Sequence, residues 1–395
     1  MSGAGDVGPG SLSESLGFPE TVVELGPGHP AHRRALAAAG STASFVVQLD
    51  DDCITGLEVE VGRSHRGFEK EAESASWDGA RPFVSRLGYA SGLMAEVAYC
   101  LAVEALAGTV LPDRAIWLRM FGMELSRATD HFARLAGTMA ALGLRDAEVA
   151  AQQGELAAAR LLARATGRSP LAGWSCLGGV ESDLPGRFDT LWTEAMPVLA
   201  AHVDRLTDAA VDNPTGQRRL RDVATLSATD ALAWSVTGPA LRASGVGQDV
   251  RKDQPYLAYD AVDFDVPVGE TGDAFDRLLV VVEEIRQSLA IADQCHERLA
   301  SLGPGRIQAE GGPEAREGIA ASRPSGEGWS EIESSTGALG FLLFSDDQGT
   351  PRRVRCRAPS FFHAQALPAM LRGERLDDLL PTAALLHLIA GECDR

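Results

Sequence analysis

The stretch LRMFGMELSRATDHFARLAGTM, Leu118 to Met139, decides the fold. Its Leu118, Phe121, Leu125, Ala128, Phe132, Leu135 and Met139 are spaced 3-4-3-4-3-4. That is an apolar stripe sustained over several turns, as in a long bundle helix. Pro112 and Asp113 stand just upstream as a helix start. Downstream, Leu278, Val282, Ile285, Leu289, Ala292, His296 and Leu299 form a second stripe, predicting a companion helix from about Asp273 to Leu299. Shorter helical patterns fall near residues 92–107, 147–166, 187–210 and 229–236.

Outside this helical centre the period changes. In SFVVQLD (Ser44 to Asp50) and CITGLEVEVG (Cys53 to Gly62) side chains alternate, which predicts a hairpin turning at Asp50, Asp51 and Asp52. Residues 303–329, rich in Gly, Pro and Glu, read as a long connector. Three short strands follow, at WSEIES, ALGFLLFS and RRVRCRA, the last two joined by the turn DDQG. Amphipathic stretches at 360–371 and 376–390 close the chain, and no internal repeat is present. The predicted class is α+β: a central long-helix bundle with small β-sheets near both ends. Residues 1–18, rich in Gly and Ser, read as a flexible tail with neither a basic nor an apolar targeting segment.

Composition narrows the function. The 395 residues are 45% apolar, enough for a sizeable core, and carry a formal charge of −19. Such a balance argues against nucleic acid, whose binding requires clustered Lys and Arg, and against direct docking on an anionic membrane. Only Lys70 and Lys252 are lysines; the other basic residues are arginines. Charges interrupt every apolar helix, as Glu96, Glu104, Glu124 and Arg127 do, so no segment reads as a membrane span. Cys53, Cys100, Cys176, Cys295, Cys356 and Cys393 are scattered with no C-x-x-C pair, as expected of reduced thiols. No G-x-G-x-x-G after a strand, no P-loop and no Ser-His-Asp order supports a free-standing enzyme.

Several strings together carry a resemblance. GPGHPAHR (Gly26 to Arg33) is followed by HRGFEK (His65 to Lys70), RLGYASGLM (Arg86 to Met94), AYCLAVEALAG (Ala98 to Gly108) and GGVESDLP (Gly178 to Pro185). Then come TGPALRASGVGQDVRKDQPYLAYDAVDFDVPVG (Thr237 to Gly269), RVRCRAPSFFHAQAL and the terminal GECDR. In order and spacing this set resembles the D-type (49-kDa) subunit family of NADH:quinone oxidoreductase, respiratory complex I. The resemblance implies the fold of [NiFe]-hydrogenase large subunits. It divides the chain into the tail at 1–18, a β-rich region with a quinone-site loop at 19–62, a helical bundle at 63–302, and connector, sheet and final helices at 303–395. It implies no cofactor on this chain, quinone as substrate, an iron–sulfur cluster in an adjacent subunit, and NADH oxidised elsewhere. The implied partners are that cluster-bearing subunit, a C-type peripheral subunit and an H-type membrane-arm subunit, with the complex on the cytoplasmic face of the bacterial cell membrane and its electron transfer coupled to proton translocation.

Reducing a quinone takes two electrons and two protons, so hydrogen-bond donors are needed at its two carbonyls. Histidine, with an unperturbed pKa of about 6.5, and tyrosine, near about 10, suit that work. The resemblance assigns the roles to His32 and Tyr89, with His29 as a further quinone-binding residue and Arg86 beside the neighbouring cluster. The plain alternatives are two loop histidines, a half-buried tyrosine and a salt-bridged arginine. His29 and His32 as an H-x-x-H metal pair lack further ligands. His65 and Glu69, at i and i+4, would share a helix face as a charge-network element. Tyr259, Asp260, Asp263 and Asp265, four groups within seven residues, invite a protonation network, or form a solvated acidic loop.

Departures from the family pattern matter. Gly88 stands where the family has an aspartate, and Leu142 and Leu171 fall near an expected acidic partner of the quinone histidine and an expected cluster-flanking histidine. These changes predict thinned proton handling on a retained scaffold, with poor quinone reduction, a low-potential donor or a variant complex as the consequence. A non-catalytic scaffold subunit is the alternative function. A [NiFe] site is excluded, because it needs two C-x-x-C pairs and only Cys393 stands at either expected place.

Overall fold

The structure is a computed structural model that describes residues 21–37, 40–168, 173–310, 325–346 and 350–395. In chain order the main elements are β1 (Thr21–Leu25), α1 (Pro30–Leu36), β2 (Ser44–Asp50), β3 (Cys53–Glu60), α2 (Phe68–Ser74), α3 (Gly92–Ala107), α4 (Asp113–Leu142) and α5 (Arg145–Thr166). The ribbon β4 (Ser175–Cys176) and β5 (Gly179–Val180) leads to α6 (Phe188–Leu206) and, after several short helical turns, to α7 (Ala274–Leu302). The chain ends with β6 (Ser325–Glu333), β7 (Ala338–Asp346), β8 (Pro351–Arg357), α8 (Pro359–Leu371) and α9 (Leu376–Leu386).

Helix α4 forms where the stripe predicts it. Its 30 residues span about 45 Å, and Gly143, at φ 73°, closes the end by donating to Ala140 and Met139 carbonyls. The stripe is only half the story. Arg119, Glu124, Arg127, Asp130, His131 and Arg134 on its other sides are buried as well, so α4 is sheathed all round by protein. Helix α7 packs along it, started by Asp273, whose side chain accepts from the Asp276 N–H. Helix α5 returns after Gly143 and Leu144 and approaches so closely that a Cβ on Gly154 would lie 2.4 Å from the Phe132 ring.

Two three-stranded antiparallel sheets, β1-β2-β3 and β6-β7-β8, stand near the two ends of the chain. Phe45, Val47, Leu49 and Ile54 of the first sheet share an apolar cluster with Leu367 and Leu371 of α8 and Leu379 and Ala383 of α9. A larger cluster surrounds α3, α4, α5 and α7. The first sheet is therefore packed against α8 and α9, and that brings distant loops side by side.

The expected class and both long helices are found. β1 was not expected, since TVVEL shows too short an alternation to read alone. β6 starts at Ser325, inside the expected connector. The predicted helix at 187–210 stops at Leu206 and passes into a π-helical turn, Thr207–Val211. The last predicted helix breaks at His387, which adopts φ 55°. The tail at 1–18, most of the DDQG turn and Leu171 lie outside the described residues. Among the described residues no helix is long and apolar enough to cross a membrane.

Candidate functional site

Three separate segments meet at one cleft of about 540 Å³: the loop after β3 (Arg63, Ser64, His65, Arg66), the turn before α3 (Arg86, Tyr89) and Gly391 near the C-terminus. Each segment is held by backbone chemistry. A Cβ on Gly391 would lie 2.5 Å from the Arg86 carbonyl and 2.6 Å from that of Leu87, so only glycine lets the chain end press against that turn. Asp394 clamps the first loop: one carboxylate oxygen accepts from Gly62 N–H at 2.6 Å, the other from Ser64 N–H at 2.6 Å and the Thr42 hydroxyl at 3.1 Å. The Asp394 carbonyl accepts from His65 Nδ1 at 3.1 Å.

Tyr89 is 39% exposed. Its ring covers Gly40, which is left-handed at φ 53° and would place a Cβ 2.4 Å from the ring. Among the described residues its hydroxyl has no hydrogen-bond partner, so it is free to donate to a ligand. Arg66 donates to the Phe83 and Arg86 carbonyls. Burial, then the like charge of Arg86, holds the Arg66 guanidinium below its usual range, against the opposing effect of Tyr89. Among the described residues neither Arg66 nor Arg86 has a carboxylate partner. In a chain of net charge −19, this cleft is locally positive, and such a field favours charge that arrives as electrons.

The two histidines of the first motif sit elsewhere. His29 is exposed, and its Nδ1 accepts from Ala31 N–H to cap α1. His32 is 1% exposed, and its Nε2 donates to the Ala43 carbonyl at 2.8 Å. Burial lowers its pKa, the Ala43 bond opposes this and His29 adds to it. Among the described residues no carboxylate bonds to it, and Leu142, near the expected acidic position, is buried apolar packing. His32 and Tyr89 touch the same short segment, residues 40–43, at Ala43 and Gly40 respectively, but of the two only Tyr89 lines the cleft.

Two expected groupings are corrected. His65 and Glu69 do not share a helix face, because left-handed Gly67 at φ 58° starts α2 after His65. Glu69 turns instead to β8, accepting from Cys356 N–H at 2.9 Å and pairing with Arg355. Asp260, Asp263 and Asp265 are exposed and make no joint network, whereas Tyr259 points inward and donates to Glu124 at 2.6 Å. Gly88, where an aspartate was expected, is buried, and a Cβ there would meet Ser91 Oγ at 2.7 Å and backbone at 3.1 Å.

The network that does exist is buried along α4. Glu124 lies between Arg127 and Arg251; burial would raise its pKa, and the two arginines with Tyr259 outweigh it and hold it low. Arg251 pairs with Asp249, while Arg242 pairs with Asp249, Glu284 and Glu333. Glu284 accepts from His131 Nε2 at 2.8 Å, and burial pushes His131 down to about 4 despite that carboxylate. Asp130 pairs with His387, and Glu392, behind Gly391, accepts from Thr336 and Ser360. The signal for this was Glu124, Arg127, His131 and Arg134, charges at helical spacing on a second face of an apolar helix. Among the described residues no group of three or more His, Cys, Asp or Glu could hold a metal.

A family model described as respiratory-chain NADH dehydrogenase, 49 Kd subunit, matches residues 152–395. The chain is 34% identical over 407 residues to a D-type subunit of the NADH-quinone oxidoreductase of Anaeromyxobacter sp., covering 98% of this chain and 92% of the relative. It is 35% identical to the D-type subunit of the Myxococcus xanthus enzyme, covering 97% and 95%. It is 34% identical to the fused C/D-type subunit of Bdellovibrio bacteriovorus, covering 98% of this chain and 71% of the longer relative. Among solved structures, a chain of the membrane-bound sulfane sulfur reductase, an archaeal respiratory membrane complex, superposes with a TM-score of 0.86 at 28% identity, covering 95% of this chain and 98% of that one.

Proposed function

Because this chain belongs to the 49-kDa subunit family of respiratory-chain NADH dehydrogenase, we propose that its cleft at Tyr89 is part of the chamber in which an NADH:quinone oxidoreductase reduces quinone. The observation that carries the reading is an unpartnered phenol at the rim of a positive cleft. A quinone carbonyl needs a neutral donor in its oxidised state and a positive surround as electrons arrive. The phenol supplies the first, and Arg66 and Arg86 supply the second.

The chain contributes walls and donors, and the electrons come from outside it. A one-electron iron–sulfur donor in the subunit that covers the Arg86 side would deliver them singly, and NADH is oxidised on another subunit. A C-type peripheral subunit is a further partner, as the fused C/D relative suggests. The H-type membrane-arm subunit would close the chamber on the lipid side. The complex then sits peripherally on the cytoplasmic face of the bacterial membrane. The buried ion pairs along α4 supply a route by which charge at the cleft is felt across the subunit, which is the coupling proton translocation requires.

Tyr89→Phe in the assembled complex tests this. It removes one hydroxyl and keeps the ring over Gly40. The expected outcome is a fall of roughly tenfold or more in NADH-driven, inhibitor-sensitive quinone reduction, with NADH oxidation by ferricyanide unchanged. Unchanged quinone turnover would overturn the assignment.

A further inference from the structure

The cleft contains an imidazole, and it is not the one the first motif nominates. His32 has its Nε2–H committed to the Ala43 carbonyl inside the core. His65 lines the cleft with Tyr89, Arg66 and Arg86. Its Nδ1 lies 3.1 Å from the Asp394 carbonyl. A carbonyl only accepts, so Nδ1 carries a hydrogen and Nε2 is the nitrogen that gains and loses the exchangeable proton.

The loop that presents His65 is built to hold it still. Asp394 fixes the backbone on its N-terminal side at Gly62 and Ser64. Gly62 at φ 110° and Gly67 at φ 58° supply the turns that no other residue takes without strain. His65 is exposed and lines the cleft, and among the described residues its Nε2 has no hydrogen-bond partner, so that nitrogen is available to a ligand.

From this geometry we infer that His65 is the proton-donating imidazole of the quinone site, with Asp394 as the residue that positions it. The inference rests on the quinone reading of the cleft. Two electrons from the iron–sulfur donor reduce the bound quinone. Its one carbonyl oxygen takes the Nε2 proton of the His65 imidazolium, which becomes the neutral Nδ1–H imidazole still bonded to Asp394. Its other oxygen takes the Tyr89 hydroxyl proton. Solvent protons restore both groups, and quinone plus two electrons and two protons gives quinol.

His65→Asn separates chemistry from structure. The asparagine Nδ2–H stands where histidine Nδ1–H stood and keeps the bond to Asp394, while the Nε2 donor is lost. The assay is NADH-driven reduction of decylubiquinone, and of a short-chain naphthoquinone, by the purified assembled complex across pH 5.5–9. The expected result is a kcat at least tenfold lower, a smaller change in KM, and loss of the limb of the pH profile that reports an imidazolium. Wild-type kcat and pH profile in H65N, with Tyr89→Phe impaired, overturn the His65 assignment and leave the quinone site standing. Wild-type behaviour in both variants overturns the site itself. Should H65N not assemble, a photoreactive quinone headgroup on the wild-type complex decides: labelling of the 61–67 peptide supports His65, and labelling of the 29–36 peptide without it refutes it.

Discussion

Asp394 shows how much one residue can carry. Its carboxylate takes two backbone N–H groups and a hydroxyl, and its carbonyl takes His65. Hydrogen bonds to a charged acceptor are worth about 1.5–3 kcal/mol each, and removing the acceptor leaves three partly exposed donors to water, which recovers part of that. Asp394→Ala is therefore expected to loosen the cleft loop by roughly 2–4 kcal/mol without unfolding the bundle. Amide hydrogen exchange at Gly62 and Ser64 should accelerate roughly 30-fold or more, since about 1.4 kcal/mol is a factor of ten, while α4 amides stay protected. Unchanged exchange at those two amides would show that the clamp holds nothing. Tyr89 and His65 belong to the same scale: each is a side chain whose partners leave one polar atom uncommitted in the cleft.

At the scale of elements, α1 is seated on α4 through a glycine. A Cβ on Gly137 would lie 2.1 Å from the Ala35 carbonyl. In a helix interior Gly→Ala normally gains up to about 1 kcal/mol. Here the steric cost, typically about 1–3 kcal/mol for forced repacking, opposes it, and the clashing atom is backbone, which gives least. Gly137→Ala is expected to lower the urea midpoint of the full chain and to displace α1 with its capping His29. An increase in midpoint would mean that α1 shifts freely, and that the loop over which Tyr89 lies is not anchored from beneath. The same close approach explains why the first motif became structural here. Once α1 is pressed on α4, His32 faces the core and spends its Nε2–H on Ala43.

Across the whole molecule, buried histidines set the response to acid. Burial pushes His131 to about 4 and His363 to about 3, and lowers His32 and His387 below 6.5. For each, the unfolded chain binds the proton more readily than the folded one. Their contribution is thus complete above about pH 6.5 and is lost as pH falls toward the folded values. The His131 shift alone is worth on the order of 3 kcal/mol. Glu96 works the other way: burial raises it to about 7, against Arg81 and the Trp174 and Ser175 amides, so it favours folding as pH falls from about 7 toward 4.5. Burial also raises Glu155, Glu333, Asp378 and Glu392, which act in the same direction as Glu96. The histidines, whose unfolded value of about 6.5 lies inside the range, outweigh these carboxyls, and the denaturant midpoint is expected to drop between pH 7.5 and pH 5. A midpoint that holds or rises over that range would show that these histidines are charged in the folded protein.

Spacing along the chain was enough to read the two long helices, the first hairpin and the family. Periodicity suffices for a 30-residue helix, alternation for a hairpin, and the ordered strings from Gly26 to Arg395 for kinship. The sequence also marked Tyr89 and Arg86, which do line the cleft. Tertiary structure alone decided which way each polar side chain faces. The pattern at His65 and Glu69 looked helical, yet a left-handed glycine split the two between the C-terminus and β8. The acidic residues after Tyr259 turned to solvent, while the charges on the other sides of α4 met partners distant in sequence: Arg251 for Glu124, Glu284 for His131 and His387 for Asp130. The physical reason is that burial and pairing of a charge depend on what else arrives at the same point in space. Local sequence records only the spacing along one chain segment.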